Sequence, residues 1–347
     1  MRDDHDRGST NTALPSTPEL GEPADLLSDV LQAVRLTGAL FFLVDASSPW
    51  VAEAPASDVL APVVLPRAQR LISYHVILEG RCWCEVPDGA PVALEAGDVV
   101  VLAHGDPYVL TDTCGARAGY SEDALLAWFR QMVAGELPMV VVEGGGGGGR
   151  ISVLCGFLGC DVLPFNPVLT TLPRVLHLPR PLDGAPDRLT PLLDFLVSEI
   201  ADRREGRRSM LLRIGELLFV EVVRRHLAGI RPGATGWLAG LSDPVVGRAL
   251  AALHAQPSRA WTLEDLAKLA MCSRSALAER FMQMVGQPPI QYLTRWRLQL
   301  AASLLTSSEA KVSAVARDVG YESEAAFSRA FKKLMGMPPV LWRRRNA

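Results

Sequence analysis

Two clusters of small polar and charged side chains stand out near the C-terminus: Arg274, Ser275, Ala278 and Glu279, then Glu324, Ala325, Ser328 and Arg329. Within each cluster the spacing puts the four residues on one face of a helix, close to its N-terminal end. These are side chains that can address base edges. A guanidinium donates twice to guanine, a carboxylate accepts from the cytosine amino group, and an alanine methyl can lie against the methyl of thymine. Arg295 and Arg297, on the polar side of a helix expected over 290–305, and Lys332 and Lys333 are charges better suited to phosphate.

A second group of chemically able residues lies upstream. His75-Val-Ile-Leu-Glu79-Gly80 ends one expected strand at a turn, and Gly97-Asp98 opens a run leading through His104 to Pro107-Tyr108. These phrases resemble the two cupin motifs. That resemblance implies a metal held by three histidines and a carboxylate inside a small barrel. Here the first motif holds one histidine, and Tyr108 stands at the ligand position of the second, so no metal and no other cofactor is expected. Tyr74, His75, Trp83, His104 and Tyr108 are instead expected to line a ligand pocket. Cys82, Cys84, Cys155 and Cys160 could form a thiol sensor, but no CxxC spacing exists, and small buried hydrophobes are the expectation. The six glycines Gly144–Gly149 lack the Lys-Ser/Thr of a phosphate loop and read as a flexible surface loop.

The elements that must position these residues follow from periodicity. Trp261–Arg344 says nearly the same thing twice, with Ala267 matching Ala316, Leu277 matching Phe327, Phe281 matching Phe331, and Gly-x-Pro-Pro closing each half. Each half is a short helix, a tight turn and an amphipathic helix, the pattern of a helix-turn-helix. Thr262 before Asp265, and Ser273 and Ser323, are expected to cap helices. Upstream, apolar runs at 39–44, 59–65, 72–78, 81–86, 91–94, 98–102 and 108–110 predict short strands of a barrel or jelly roll. Helices are predicted over 25–36, 123–132, 189–203 and 210–227. The expected division is a disordered tail (1–24), a sensor domain (25–185), a helical pair able to support dimerisation (186–230), a linker (231–244) and a helical domain with two helix-turn-helix units (245–347). The fold class is α+β.

With 49 % apolar and 21 % charged residues the chain reads as a globular protein. No apolar run reaches the roughly 20 residues of a bilayer span, and Met1–Thr17 is too polar for a secretory signal, so a cytoplasmic protein is expected. The net charge of −3 conceals a split. Residues 1–240 carry 20 arginines and no lysine against 30 acidic residues, a net of −10. Residues 241–347 carry 15 basic against 8 acidic residues, a net of +7. A basic third on an acidic body is the asymmetry of a chain that docks one end on polyphosphate.

Trp261–Arg345, with G-Y-E-S-E-A-A-F-S-R-A-F-K-K and G-M-P-P-V-L-W-R, resembles the AraC/XylS-type DNA-binding domain, and residues 40–179 resemble its cupin-like sensor. The resemblance implies two recognition helices entering successive major-groove segments of double-stranded promoter DNA. A small-molecule effector, a homodimer through the helical pair, and RNA polymerase if the protein activates are the expected further partners. The short apolar runs leave no membrane partner expected, and the incomplete ligand set no catalytic residue. The competing expectation is a cupin dioxygenase or isomerase fused to a DNA-binding module.

Overall fold

The computed structural model describes residues 25–33, 36–161, 165–181, 188–202, 204–231 and 233–346. The expected tail, 1–24, lies outside the described residues. The architecture is α+β: a two-sheet N-terminal unit flanked by helices, then a run of helices.

Strands β1 (Leu36–Ser47), β3 (Arg70–Glu79), β6 (Val99–Leu102), β8 (Val140–Gly144), β9 (Arg150–Cys160) and β10 (Leu176–Leu178) form one sheet in the order β10-β6-β3-β9-β1-β8. It is antiparallel except for the β1–β8 pair. Strands β2 (Val51–Ala54), β4 (Arg81–Glu85), β5 (Val92–Glu95) and β7 (Tyr108–Thr111) form the second, in the order β2-β7-β4-β5. Between the sheets lie Phe42, Val44, Leu71, Ile77, Cys84, Leu110, Val153 and Phe157. The other face of the larger sheet is buried too, through Phe41, Ile72, Tyr74, Val76, Leu154 and Leu158. Burial on both faces is why β3, β6 and β9 read as continuous apolar runs rather than alternating ones. The outer face is covered by α5 (Leu189–Ala201) and α6 (Arg207–Ala228), which buries Leu211, Ile214, Leu218 and Val222. A side chain at Gly156 of β9 would sit 2.3 Å from the Phe41 ring, and one at Gly215 of α6 would sit 2.6 Å from Leu158, so these glycines set how closely helix and sheet approach.

Two expectations are corrected. Residues 59–65 are not a strand: Ser57–Val64 is helix α2, whose Leu60, Ala61 and Val64 fall on one helical face against β3 and α3 (Glu122–Ala134). A short apolar run fits either period, and here packing at i, i+1 and i+4 prevails. The glycine run is an exposed loop, as expected of a surface segment, with its ends held in place. It crosses the end of β1, with Gly148 N–H donating to Ser48 O (3.3 Å) and Ser48 N–H to Gly149 O (3.0 Å). A Cβ at Gly144, Gly146 or Gly148 would come within 2.1–2.7 Å of Ser47, Ser48 or Pro49. The second correction is the expected linker, which contains helix α7 (Trp237–Ser242), with Trp237 only 1 % exposed.

Helix α8 (Val246–Ala255) leads into the repeated part. The first unit is α9 (Leu263–Leu269) and α10 (Arg274–Val285); α11 (Pro289–Ser307) connects it to α12 (Val312–Asp318) and α13 (Glu324–Met335), and α14 (Pro339–Asn346) follows. Thr262 and Asp265 form a reciprocal capping box on α9. Ser273 accepts from Ala276 N–H and Ser323 from Ala326 N–H at the starts of α10 and α13. Gly286 and Gly336 end those helices in the left-handed region (φ 76°), which explains the glycine of both Gly-x-Pro-Pro phrases. The first unit shares its core with the N-terminal unit, whereas the second has its own, around Leu298, Leu305, Val315, Phe327, Phe331 and Trp342.

Candidate nucleic-acid interface and buried cavity

In α10, Leu277 and Phe281 are fully buried and turn the helix so that Arg274, Ser275 and Glu279 face solvent, with Ala278 half-buried between them. In α13, Phe327, Phe331 and Met335 are buried. Glu324, Ala325, Arg329, Lys332 and Lys333 are exposed and Ser328 is half-buried. Each cluster therefore lies on the open side of its helix, as i, i+1, i+4, i+5 spacing requires. The positive end of each helix dipole, where the serine caps one N–H, also favours a phosphate at that end.

The two units are tied together rather than strung on a linker. Arg297 of α11 donates to Pro257 O (2.6 Å) and Arg259 O (2.8 Å), and Gly320, at φ 86°, packs on the same loop. A Cβ there would meet Ser258 O at 2.6 Å and the Arg297 guanidinium at 3.0 Å. Arg297 thus holds the loop before the first unit against the turn of the second, and its expected phosphate role is corrected. Arg295, two residues earlier on the same helix, is half-buried. Arg280 on α10 is likewise engaged, with Nε and Nη2 donating to Asp243 Oδ2 at 2.8 and 2.6 Å. Asp243 also accepts from Val245 and Val246 N–H at the start of α8, so one carboxylate links α10 to the segment joining the two parts of the chain.

That joining segment ends in a buried hub. Tyr292 Oη of α11 accepts from Trp237 Nε1–H (2.8 Å) and lies 2.7 Å from His254 Nε2. Its ring meets Phe165 of the N-terminal unit edge-on, with centroids 5.3 Å apart, and Phe281 of α10 at 5.8 Å. Burial holds the His254 imidazole down at about 3, so it is neutral. Its approach to Asp29 of α1 (Leu26–Ala33), 3.8 Å from Nδ1, is therefore a dipolar contact and not an ion pair.

Among the five expected pocket residues, the structure brings two together. His75 and Tyr108 face inward between the sheets, with Nε2 and Oη 2.8 Å apart. They line a cavity of about 240 Å³ with Phe42, Leu110, Tyr120, Trp128, Phe129, Glu143, Cys155 and Phe157. Burial drives the His75 pKa down to about 3 and the Tyr108 phenol well above its usual value, so both are neutral. Tyr74, Trp83 and His104 are corrected. Strand alternation sends Tyr74 to the opposite face of its sheet. Trp83 points away from the interior occupied by Cys82 and Cys84, and the ring of His104 bonds to Leu172 O (2.8 Å) outside the cavity. Glu53, Tyr120, Trp128 and Glu143 were not foreseen. The alternation Val140-Val141-Val142-Glu143, with odd positions facing in, was the signal for the last of them.

Asp98 of the second motif is a structural clasp, accepting from Glu95 N–H and Arg180 N–H and lying 2.8 Å from His177 Nε2. Among the described residues no three His, Cys, Asp or Glu are grouped to hold a metal. Burial raises the thiols of Cys82, Cys84 and Cys160 to about 12, leaving them protonated and poorly nucleophilic at neutral pH. No described helix is long and apolar enough to cross a membrane.

Comparison with known proteins agrees with this geometry. Residues 25–228 match a family described as Cupin, and residues 266–345 one described as Helix-turn-helix domain. The chain is 35 % identical over 286 residues to a protein of Streptomyces lividans named as an AraC-like transcription regulator, covering 80 % of this chain and 88 % of that one. A protein of the same name from Streptomyces antibioticus is 31 % identical over 328 residues, covering 92 % and 98 %. The HTH-type transcriptional regulator AlkR of Acinetobacter baylyi is 28 % identical over 334 residues, covering 93 % and 100 %.

Proposed function

The chain belongs to the AraC-like transcription regulators, and on that premise we propose that α10 and α13 read promoter DNA while the cavity between the sheets receives a small-molecule effector. The observation that carries the reading is the pair of serine-capped helices, each presenting a polar cluster on its open side within the basic part of the chain. Phosphate contacts from Lys332, Lys333 and Arg295 supply affinity, and base contacts from Arg274, Glu279, Glu324 and Arg329 supply selectivity. The shared core at Tyr292 supports coupling of the cavity-bearing unit to the first recognition helix.

A second copy is proposed to dock on α5 and α6, where Phe195, Met210 and Leu217 are exposed and Met210 and Leu217 lie seven residues apart on the side away from the sheet. RNA polymerase is the further partner if the protein activates. The cytoplasm is the proposed compartment, and no catalytic role is assigned.

The test is Arg329→Ala. It should weaken binding to the preferred duplex by about 1–3 kcal/mol and relax selectivity at one position. Equal binding of specific and random duplexes by variant and parent would remove Arg329 from the reading set.

A further inference from the structure

The cavity between the sheets has a polarity that its role as an effector pocket does not by itself explain. Its walls are aromatic and aliphatic, with Phe42, Leu110, Trp128, Phe129 and Phe157. Two carboxylates, Glu53 and Glu143, line it, and no lysine or arginine does. Glu53 already accepts from Ala118 N–H (2.7 Å). The half-buried Glu143 carboxylate makes no hydrogen bond or ion pair among the described residues, and burial raises its pKa. At the inner end His75 is 2 % exposed; its Nε2 meets Tyr108, and its Nδ1 has no partner. His75 is neutral, so the inner end carries no positive charge to balance the acids.

A half-buried carboxylate with no counter-ion, in an aromatic cavity, is costly to keep ionised unless a cation arrives. Tyr120 and Trp128 line the same cavity, and aromatic faces also attract a cation. At about 240 Å³ the cavity is smaller than the roughly 300–1,000 Å³ of sites for drug-sized molecules, so its occupant is small. We infer that the cavity selects a small organic cation, an ammonium group on an apolar ring or chain, with Glu143 as its counter-ion. The inference rests on the effector reading of the cavity and adds the chemical class of the ligand.

Three probes of similar size and different charge test it by calorimetric titration of the full-length protein at neutral pH: benzylammonium, benzyl alcohol and phenylacetate. Benzylammonium should bind about tenfold or more tightly than either of the others, the scale of one charge-assisted hydrogen bond. Glu143→Gln should erase that advantage while leaving benzyl alcohol binding as in the parent, which also shows that the variant keeps its cavity. Trp128→Ala should weaken all three. If the alcohol or the carboxylate binds as well as the amine, or Glu143→Gln keeps the preference, the cation assignment fails while the effector cavity stands. If none of the three binds, or Trp128→Ala changes nothing, the cavity reading falls and the cation assignment with it.

Discussion

Two buried histidines give this protein a pH dependence whose sign can be worked out. Burial holds His75 and His254 at about 3 in the folded chain, against an ordinary value of about 6.5. Between those values the unfolded chain takes up protons that the folded chain excludes. Stability is therefore full above about pH 6.5 and is lost as the pH falls toward 3, by about 2 kcal/mol per histidine at pH 5. Urea midpoints at about pH 7.5 and pH 5 check this, and an unchanged midpoint would contradict neutral burial. The residue scale also separates two kinds of arginine. Arg297 serves the backbone of the loop at 257–259, so Arg297→Ala should lower the thermal midpoint and leave the salt dependence of DNA binding unchanged. Loss of Lys332 or Lys333 should lower the salt slope by about 0.9 for each phosphate contact removed. At this scale the sequence was a partial guide. His75 and Tyr108 were legible because strand parity puts both inside, but Tyr74 carries the same chemistry on the wrong parity, and a sheet buried on both faces hides that distinction. Arg297 looked like any basic residue on a polar helix face, because its carbonyl partners lie some forty residues away in the chain.

At the scale of elements, the tandem helix-turn-helix was the most legible part of the chain. Its caps, turns and small residues are local signals, and repetition states each of them twice. The strands of the N-terminal unit were mostly visible as well. What escaped were elements defined by distant partners: β8 pairs in parallel with β1, and α7 is a short helix fixed by the burial of Trp237 against the first unit. The run that became α2 could serve either period until its neighbours selected one. Gly320 makes a testable link at this scale. Its left-handed turn presses on Ser258 and Arg297, so Gly320→Ala should both strain the turn, at roughly 1–2 kcal/mol, and push the second unit off the first. Calorimetric unfolding and binding to a duplex carrying both half-sites should deteriorate together. Loss of stability with unchanged binding to that duplex would mean that the contact does not set the spacing of the two helices.

Over the whole molecule, charge and packing divide the chain differently. Charge separates an acidic body from a basic C-terminal third. Packing instead joins the first helix-turn-helix unit to the N-terminal unit through Phe165, Trp237, His254 and Tyr292, and leaves the second unit with a core of its own. The recognition clusters are unequal as well, with Arg274 and Glu279 on α10 and Glu324 and Arg329 on α13. One chain should therefore read an asymmetric site, with its first recognition helix the one packed against the N-terminal unit. Enrichment of bound duplexes from a random pool by the full-length protein tests this most directly. The expected result is a site unit, present once per bound chain, of two different sequence blocks about 10 base pairs apart, one helical turn, with the α13 block losing a base preference in Arg329→Ala. A unit whose two blocks one helical turn apart are identical, or no enriched sequence at all, would contradict it.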